Sequence, residues 1–394
     1  MLGFTYYTPT KVAFGKGSVE RVGELMNQFG GTRVLIHYGG QSAVRSGVLD
    51  RVKKSLDEAG IFHVELGGVV PNPHLAKVRE GIALSKANGV DFLLAVGGGS
   101  VIDSCKAIAY GLAEPEHDVW ELYAGQRKAK ACFPVASVLT IAAAGSEMSN
   151  SCVITNTDTE EKRAYNDDLV RPKFAIMDPE LTMTLPDYQT EAGCADIMMH
   201  TMERYFVNSG TMELTDALAE GLLRTVMHNA EVLHTDPRNY DARAEVMWAS
   251  SLAHNGLTGC GSDGGDWVPH LLEHEMGGMF NVTHGAGLAA VWPSWARYVY
   301  KNCLPRFVRF ARNVMGVEAG LSDDETALRG IENMEDFFRS IHMPTSLSEL
   351  GVHPTEAQLC ELARKCKIAV GGLLGSAKRL DESDMLAIYK MANR

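Results

Sequence analysis

Short apolar runs alternate with amphipathic stretches through the first half of the chain. Apolar runs of roughly four to eight residues are typical of buried strands, whereas apolar residues at positions i, i+3, i+4 and i+7 indicate helices. Strands that alternate with helices predict a parallel sheet covered by helices on both faces. The strands are predicted at residues 32–37, 62–66, 92–96 and 134–139, and the intervening helices at residues 46–60, 75–88 and 101–110.

The pattern changes near residue 180, because apolar residues then recur at helical spacing towards the C-terminus. The dipeptides Asp178-Pro179 and Leu185-Pro186 interrupt the chain at this change. We therefore expect an α/β N-terminal domain (residues 1–184) with a doubly wound, mostly parallel Rossmann-like sheet, and an all-α C-terminal domain (residues 185–394). Helices of the second domain are predicted at residues 191–206, 212–232, 242–257, 268–279 and 305–315.

Composition and charge narrow the class of protein. The 394 residues suffice for two domains. A net charge of −12 argues against a nucleic-acid or anionic-membrane binder, whose affinity comes from a basic surface. No signal peptide is expected, because the N-terminus lacks a basic start and a continuous apolar run. No membrane span is expected, because no apolar stretch reaches about 18 residues. The eight cysteines form no CxxC pair, which favours reduced thiols in a cytoplasmic protein.

A glycine-rich loop follows the third predicted strand. Gly97-Gly98-Gly99-Ser100 leads directly into a predicted helix. Glycines let the backbone approach phosphate oxygens closely, and the helix N-terminus favours negative charge. The loop is not the dinucleotide fingerprint G-x-G-x-x-G, because Ile102 stands where the third glycine would be. A phosphate site and an ordinary tight turn both remain open on this loop alone.

Two other loops of small residues strengthen the phosphate interpretation. Thr140 to Gly145-Ser146-Glu147 follows the strand that ends at residue 139, and Gly39-Gly40-Gln41-Ser42 follows the first strand. The carboxyl ends of parallel strands line the usual ligand crevice of such folds. Three such loops together favour a nucleotide site over three unrelated turns.

One carboxylate and several imidazoles are spaced as metal ligands in the second domain. Asp196 and His200 are four residues apart, as are His270 and His274, and His284-Gly285 follows. The i,i+4 spacing places each pair on one face of a helix. Nitrogen and carboxylate ligands without thiolate suit Fe²⁺, Zn²⁺, Mn²⁺ or Co²⁺. Spacing alone does not separate His270 from His274 as the ligand.

Other polar residues near this cluster are expected to have structural roles. Glu273 and Glu275 should point away from the face shared by His270 and His274. Asp263 and Asp266 are interpreted as part of a helix-capping loop. The remaining histidines have no comparable partners in the sequence and are interpreted as structural or surface groups: residues 37, 63, 74, 117, 228, 234, 254, 342 and 353.

These motifs, in this order and spacing, resemble the group III, iron-containing alcohol dehydrogenases, and most of all their butanol dehydrogenase and broad aldehyde reductase branch. The resemblance covers nearly the whole chain and implies a dehydroquinate synthase-like architecture. The matching segments are Pro71-Asn72-Pro73, Gly97 to Ser100 with Asp103 and Lys106, Thr140 to Glu147, Asp178-Pro179, Asp196-x-x-x-His200, His270-x-x-x-His274 and His284-Gly285.

The resemblance implies a role for each site residue. It makes Asp196, His200, His270 and His284 the metal ligands, with Fe²⁺ the expected ion and Zn²⁺ an alternative. It places His274 beside the nicotinamide, where it would position the reactants or relay a proton. It implies a homodimer, for which residues 4–14 could supply an edge strand. The residues implied to contact the dinucleotide are Asn72, Gly98, Gly99, Ser100, Thr140 and Lys162.

The end of the first strand departs from NAD-dependent relatives in the family pattern. Those members carry an aspartate there that holds the adenosine ribose, whereas this chain has Gly39-Gly40. No carboxylate would repel a ribose 2′-phosphate, which Ser42 or Arg45 could approach. We therefore expect NADP(H) to be preferred over NAD(H).

The expected reaction is reversible hydride transfer between NADP(H) and a small primary alcohol or aldehyde of butanol size. Two alternatives come from other classes: a dehydroquinate synthase-like lyase and a non-catalytic binder of metal and nucleotide. The lyase would need many basic residues near the ligands, but Arg204 is the nearest and residues 268–283 contain none. Apolar residues near the ligands suit short aliphatic substrates, although helix packing explains them equally: Trp248, Trp267, Met276, Met279 and Phe280.

Overall fold

The computed structural model describes residues 1–210 and 212–394, apart from the side chain of Gln41. These residues divide into two compact units. The sheet unit comprises Tyr7–Leu185 and Arg238–Ser251, and the helical unit comprises Met1–Tyr6, Pro186–Pro237 and Leu252–Arg394. The main division, after Leu185, lies one residue from the expected boundary after residue 184. Two short segments were not expected: Arg238–Ser251 belongs to the sheet unit and Met1–Tyr6 belongs to the helical unit. The extents of independently folding domains stay a prediction.

Eight strands and fifteen α-helices form the described chain. The strands are β1 (Lys11–Phe14), β2 (Arg33–Tyr38), β3 (Phe62–Leu66), β4 (Phe92–Gly97), β5 (Val135–Leu139), β6 (Ser151–Asn156), β7 (Glu161–Asn166) and β8 (Phe174–Met177). The helices are α1 (Val22–Gln28), α2 (Gln41–Arg45), α3 (Val48–Glu58), α4 (Leu75–Ala87), α5 (Gly99–Ala113), α6 (Trp120–Tyr123), α7 (Asp187–Tyr205), α8 (Glu213–Thr235), α9 (Tyr240–His254), α10 (Val268–Phe280), α11 (His284–Val299), α12 (Leu304–Asn313), α13 (Asp323–Ser340), α14 (Glu356–Val370) and α15 (Glu382–Ala392).

Six parallel strands form the main sheet in the order β1-β8-β5-β4-β2-β3. Every residue of the central strand β4 is buried, as expected when helices cover both faces of a parallel sheet. On one face, Val34, Ile36 and Leu94 join a buried apolar cluster with residues of α1 and α3. The neighbouring Leu35 and Leu93 are also fully buried but face the other way, because side chains alternate along a strand. This arrangement confirms the predicted doubly wound fold.

Two parts of the sheet unit differ from expectation. Of the edge strand suggested for residues 4–14, only Lys11–Phe14 is a strand, paired with β8 at the edge of the sheet. The antiparallel hairpin β6–β7 lies outside the main sheet and was not predicted. Strand β7 carries few apolar residues and gives little strand signal. Strand β6 contains Val153, Ile154 and Thr155, a strand signal that was not used.

The helical unit contains α7, α8 and α10 to α15. Helix α7 is buried from Thr190 to Tyr205, because α8 and α11 pack against it. The polar side chains of this stretch of α7 are therefore buried. None of the described helices is both long enough and apolar enough to span a lipid bilayer.

Candidate metal centre and dinucleotide-binding loops

The three predicted phosphate loops lie at the carboxyl ends of three neighbouring strands of the sheet. The chain leaves β2 towards β3 on one side and leaves β4 towards β5 on the other, so the strand order reverses between β2 and β4. Such a reversal opens a crevice at the carboxyl ends of the strands, where nucleotides bind in doubly wound folds. Gly39 and Gly40 follow β2, Gly97 ends β4, and the Thr140 amide donates to the Gly97 carbonyl at 3.1 Å.

Gly98 and Gly99, at the start of α5, leave little space for a side chain because the loop after β5 lies against them. The helix begins at Gly99, so Gly99 and Ser100 form its first turn. A Cβ added to Gly98 would lie 3.0 Å from the Ile141 Cβ, and one added to Gly99 would lie 2.9 Å from the Ala144 Cβ. The loop after β5 therefore packs directly on this turn. The first amides of α5 stay available for an anion, which fits the pyrophosphate of a dinucleotide.

Asp103 and Ser146 hold the walls of this loop cluster together. The Ser146 hydroxyl donates to Asp103 Oδ1 at 2.6 Å, and the Val153 amide donates to Asp103 Oδ2 at 2.9 Å. This carboxylate thus ties α5 to the loop after β5 and to β6. Direct contact of Asp103 or Ser146 with a dinucleotide, expected from the sequence, stays a prediction.

Asn72 and Lys162 lie on segments that are bound to each other through β6. Thr155 pairs with Lys162 across the β6–β7 hairpin, and its amide donates to the Pro73 carbonyl at 2.8 Å. Both Asn72 and Lys162 are buried. Sequence periodicity gave no reason to single out Lys162, because its link to Asn72 depends on the hairpin.

The four predicted metal ligands come from three helices of the helical unit. Asp196 and His200 lie on α7, His270 lies on α10, and His284 begins α11. From Asp196 Oδ1 the distances are 3.0 Å to His200 Nδ1, 3.8 Å to His270 Nε2 and 3.7 Å to His284 Nε2. Ligand atoms bonded to a tetrahedral ion at about 2.1 Å are roughly 3.4 Å apart, so the distances from Asp196 to His270 and His284 fit one cation.

A glycine brings His284 to the other ligands. A Cβ on Gly285 would lie 1.9 Å from the Ala192 carbonyl oxygen, so only glycine lets α11 approach α7 this closely. The motif His284-Gly285 therefore combines a candidate ligand with the residue that permits its position.

Hydrogen bonds leave the Nε2 atoms of two histidines directed at the cluster. His270 Nδ1 lies 2.8 Å from Glu203 Oε1, and His284 Nδ1 bonds to Glu273 Oε2. Carboxylates in this position hold the proton on Nδ1 and leave Nε2 as the ligand atom. Among the described residues, His270 Nε2 is buried without a hydrogen-bond partner. Buried polar atoms of this kind need compensation, which a bound cation would provide.

The electrostatics of the cluster also suit a cation. Burial raises the pKa of the Asp196 carboxyl, but the His200 and His284 imidazoles outweigh burial and hold that pKa well below its ordinary value. Burial lowers the pKa of His200 to about 4. Burial would also lower the pKa of His270, but the Asp196 and Glu203 carboxylates raise it to about 9. An ionised Asp196 and a neutral His200 are ligand forms, and a cation would displace the His270 proton.

The structure offers two trios of ligand atoms that share His284. The atoms of Asp196, His270 and His284 lie within 4.8 Å of one another, and so do those of Glu273, His274 and His284. His200 is in neither trio, although its ring lies 4.5 Å from the His270 ring. Its Nδ1 also lies 3.0 Å from the Asp196 carbonyl oxygen. The ligand role of His200 and the non-ligand role of His274 stay predictions.

Family models match both parts of the chain. Iron-containing alcohol dehydrogenase matches residues 9–179, and the C-terminal model of the Fe-containing alcohol dehydrogenase family matches residues 190–393. The chain belongs to the iron-containing alcohol dehydrogenase family. It is 41% identical to NADH-dependent butanol dehydrogenase A of Clostridium acetobutylicum over 99% of both chains. It is 38% identical to the NADPH-dependent aldehyde reductase YqhD of Escherichia coli, over 89% of this chain and 90% of that one.

A solved structure supports the same assignment. The crystal structure of an NADH-dependent butanol dehydrogenase A from Thermotoga maritima matches with a TM-score of 0.96 at 37% identity, covering 100% of this chain and 99% of that one. The resemblance to iron-containing alcohol dehydrogenases that the motifs indicated is therefore confirmed for fold and family.

Three residues beside the candidate ligands were not expected there from the sequence. Glu273 was expected to point away, but it is buried and bonds to His284. Glu203 was not singled out, although Asp196, His200 and Glu203 share the i, i+4, i+7 face of α7. His254, interpreted as structural or surface, packs its ring 4.0 Å from the His200 ring, and burial holds its pKa well below the ordinary value.

Two more histidines have partners that the sequence did not reveal. His234 and His342 both lie beside the buried carboxylate of Glu191 in the helical unit. Of Asp263 and Asp266, interpreted as a capping loop, only Asp266 is hydrogen-bonded to the start of a helix in the described chain. Asp266 Oδ1 accepts from the Val268 amide at the start of α10, and Asp263 Oδ2 accepts from the Ser376 hydroxyl.

Proposed function

We propose that this family member is a metal-dependent oxidoreductase that reversibly transfers a hydride between NADP(H) and small primary alcohols or aldehydes. The observation that carries this proposal is the convergence of Asp196 Oδ1, His270 Nε2 and His284 Nε2 in the interior of the helical unit. The names of relatives support the substrate class, because they are butanol dehydrogenases and an aldehyde reductase. We propose Fe²⁺ as the ion, with Zn²⁺ as an alternative.

When bound, the cation would polarise the substrate oxygen and the nicotinamide would supply or accept the hydride. The residues of the chain would hold these groups in fixed positions, which lowers the barrier by orientation and charge stabilisation. Asp196, His200, His270 and His284 would hold the cation, and Glu203 and Glu273 would fix the imidazole rings. The Gly97 to Ser100 turn would bind the pyrophosphate. His274 would contact the reactants and relay a proton.

The preference for NADP(H) rests on the loop after β2. Residues 39–45 contain no carboxylate that would repel a 2′-phosphate, and Arg45 ends the short helix α2 that follows. Relatives are named for both coenzymes, NADH in one case and NADPH in the other. The proposal therefore depends on this loop and on the kinetic comparison described in the Discussion.

The contacts of Arg204 disfavour a lyase acting on a phosphorylated substrate. Its guanidinium donates to the His200 carbonyl at 2.8 Å and to the Ala253 carbonyl at 3.2 Å, and lies 3.2 Å from His254 Nδ1. Arg204 is the basic residue nearest the candidate ligands in the sequence, and these bonds already engage its guanidinium. A binder without catalysis is distinguished from the enzyme by the turnover assay below.

A cytoplasmic homodimer is the form that we propose for the enzyme. Strand β1 is at the edge of the sheet, and the exposed side chains of Phe14 and Trp248 lie against each other there with ring centroids 6.3 Å apart. An unpaired edge with exposed apolar groups favours pairing with another copy. No disulfide joins the eight cysteines of the described chain, as expected in a reducing compartment.

The test combines purified protein, Fe²⁺, NADPH and butyraldehyde while nicotinamide absorbance is followed. We expect metal-dependent NADPH oxidation that chelation abolishes and Fe²⁺ restores. The His270→Ala variant should show no such activity, and the exposed His353→Ala variant should behave as the unaltered enzyme. Absence of oxidation in a metal-loaded, folded sample across aldehydes of two to six carbons would refute the proposal.

A further inference from the structure

A second group of potential metal ligands lies in the helical unit, separate from the ligands already described. Glu191 on α7, His234 on α8 and His342 beyond α13 have ligand atoms within 4.8 Å of one another. His234 Nδ1 lies 2.7 Å and His342 Nδ1 lies 3.9 Å from Glu191 Oε1. The two imidazole rings meet edge to face with centroids 4.6 Å apart. We propose that these three residues form a second site for a divalent cation.

The carboxylate of Glu191 is the first argument for a cation. Its side chain is only 4% exposed, and its ion-pair partners among the described residues are His234 and His342. A buried carboxylate loses its hydration shell, which is costly unless other groups replace it. A divalent cation held by Glu191 and both imidazoles would do so.

The backbone of His342 is the second argument. This residue has φ of 54°, in the left-handed region that glycine adopts most readily at the end of a helix. Its amide donates to the Arg339 carbonyl at 3.0 Å, so it forms the turn that ends α13. A histidine in this conformation costs more than glycine would. This conformation places the His342 ring beside that of His234 and its Nδ1 3.9 Å from Glu191 Oε1.

The ligand set selects the kind of ion. Two imidazoles and one carboxylate suit Zn²⁺, Ni²⁺ or Cu²⁺, whereas Mg²⁺ and Ca²⁺ prefer oxygen ligands. The exposure of His342, whose side chain is 71% accessible, leaves room for water or an external group as a further ligand. The site would connect α7, α8 and the end of α13, so Zn²⁺ should stabilise the helical unit by binding its folded form.

The experiment measures Zn²⁺ stoichiometry of the full chain by equilibrium dialysis and elemental analysis. We expect two Zn²⁺ per chain in the unaltered protein, and one in each of His342→Ala, His234→Ala, Glu191→Gln and His270→Ala. The double variant His270→Ala/His342→Ala should bind none, and the control His353→Ala should bind two. Millimolar Mg²⁺ should not change these values. Equal stoichiometry in the unaltered protein and in His342→Ala would overturn the proposal.

A second variant separates a ligand role from a purely structural one. His342→Gly removes the imidazole and places glycine, which adopts the left-handed conformation readily, in the turn. With both proteins in EDTA, we expect this variant to have a higher melting temperature than the unaltered protein. The same variant should lose one equivalent of Zn²⁺ and keep its Fe²⁺-dependent turnover. Retention of both Zn²⁺ ions by this variant would show that His342 serves only the turn.

Discussion

His270 Nδ1 lies 2.8 Å from Glu203 Oε1, and the same oxygen accepts the His270 backbone amide at 2.9 Å. One carboxylate therefore fixes both the ring and the main chain of a candidate metal ligand. Carboxylates bonded to ligand histidines typically improve metal affinity by about 10- to 100-fold. We expect Glu203→Gln to weaken metal binding by that factor, measured by competition with a chelator. The exposed Asp187→Asn on the same helix should leave affinity unchanged, and equal affinity in Glu203→Gln would contradict this role.

His270 and His274 are expected to differ in metal content. His270→Ala should retain roughly a tenth or less of the metal of the unaltered enzyme, because a ligand is lost. His274→Ala should keep its metal but turn over roughly 100-fold more slowly, as expected for loss of proton transfer. Elemental analysis and steady-state kinetics on the same samples measure both. If His274→Ala also loses its metal, the trio of Glu273, His274 and His284 is the actual ligand set.

Gly285 should tolerate no side chain. Its substitution by alanine places a Cβ 1.9 Å from the Ala192 carbonyl oxygen, so α11 must move away from α7 and carry His284 with it. We expect Gly285→Ala to lose about 1–3 kcal/mol of stability and to bind metal more weakly. Gly221→Ala in α8 is the matched control, since its Cβ would meet nothing within 4 Å. That control should be neutral or gain up to about 1 kcal/mol. Chemical denaturation and metal titration decide the comparison.

Coenzyme preference should depend on the corner after β2. We expect kcat/KM for NADPH to exceed that for NADH with one aldehyde, and a ratio at or below one would reject the NADP(H) proposal. A Cβ at Gly40 would meet nothing within 4 Å, so Gly40→Asp should fold normally. Its carboxylate should repel the 2′-phosphate and lower the NADPH to NADH ratio at least about tenfold, equivalent to about 1.4 kcal/mol. Gly40→Asn adds similar volume without charge and should change the ratio less.

His37 gives the sheet unit a pH dependence that is independent of metal. Burial lowers the pKa of this histidine from 6.5 to about 4, while its ring bonds to the Leu66 carbonyl and the Ser104 hydroxyl. Between pH 6.5 and 4, His37 is protonated in the unfolded chain but stays neutral in the folded chain. The free energy of unfolding therefore falls as the pH falls through this range. The loss from this group should reach about 3 kcal/mol.

The measurement for His37 is the free energy of unfolding between pH 7.5 and 4.5 in the unaltered protein and in His37→Asn. The asparagine keeps a donor but does not titrate. We expect the unaltered protein to lose more stability over this range than the variant. Parallel curves would show that His37 does not control the pH dependence.

Hydrophobic periodicity predicted the alternating elements of the sheet unit well, because buried parallel strands and amphipathic helices have strong local patterns. Strand β3 and the helices that carry Asp196, His200, His270 and His274 were all expected. The β6–β7 hairpin was not, since its stability depends on contacts with the rest of the fold. Lys162 could therefore be suggested only by family resemblance.

The partners of the candidate ligands were harder to predict than the ligands. Glu203 lies on the same helical face as Asp196 and His200, a signal that was available but not used. Glu273 meets His284 only because α10 and α11 pack together. The same applies to Glu191, His234 and His342, which come from three separate segments. Local spacing finds residues on one helix but not those that tertiary packing brings together.

The central claim is that Asp196, His200, His270 and His284 bind one catalytic cation, and anomalous diffraction tests it most directly. Crystals of enzyme reconstituted with Fe²⁺ would be measured on both sides of the iron absorption edge. We expect one peak in the interior of the helical unit, about 2.0–2.2 Å from ligand atoms of all four residues. A peak bound by Glu273 and His274 instead, or no iron peak near Asp196 in an active crystal, would contradict the account.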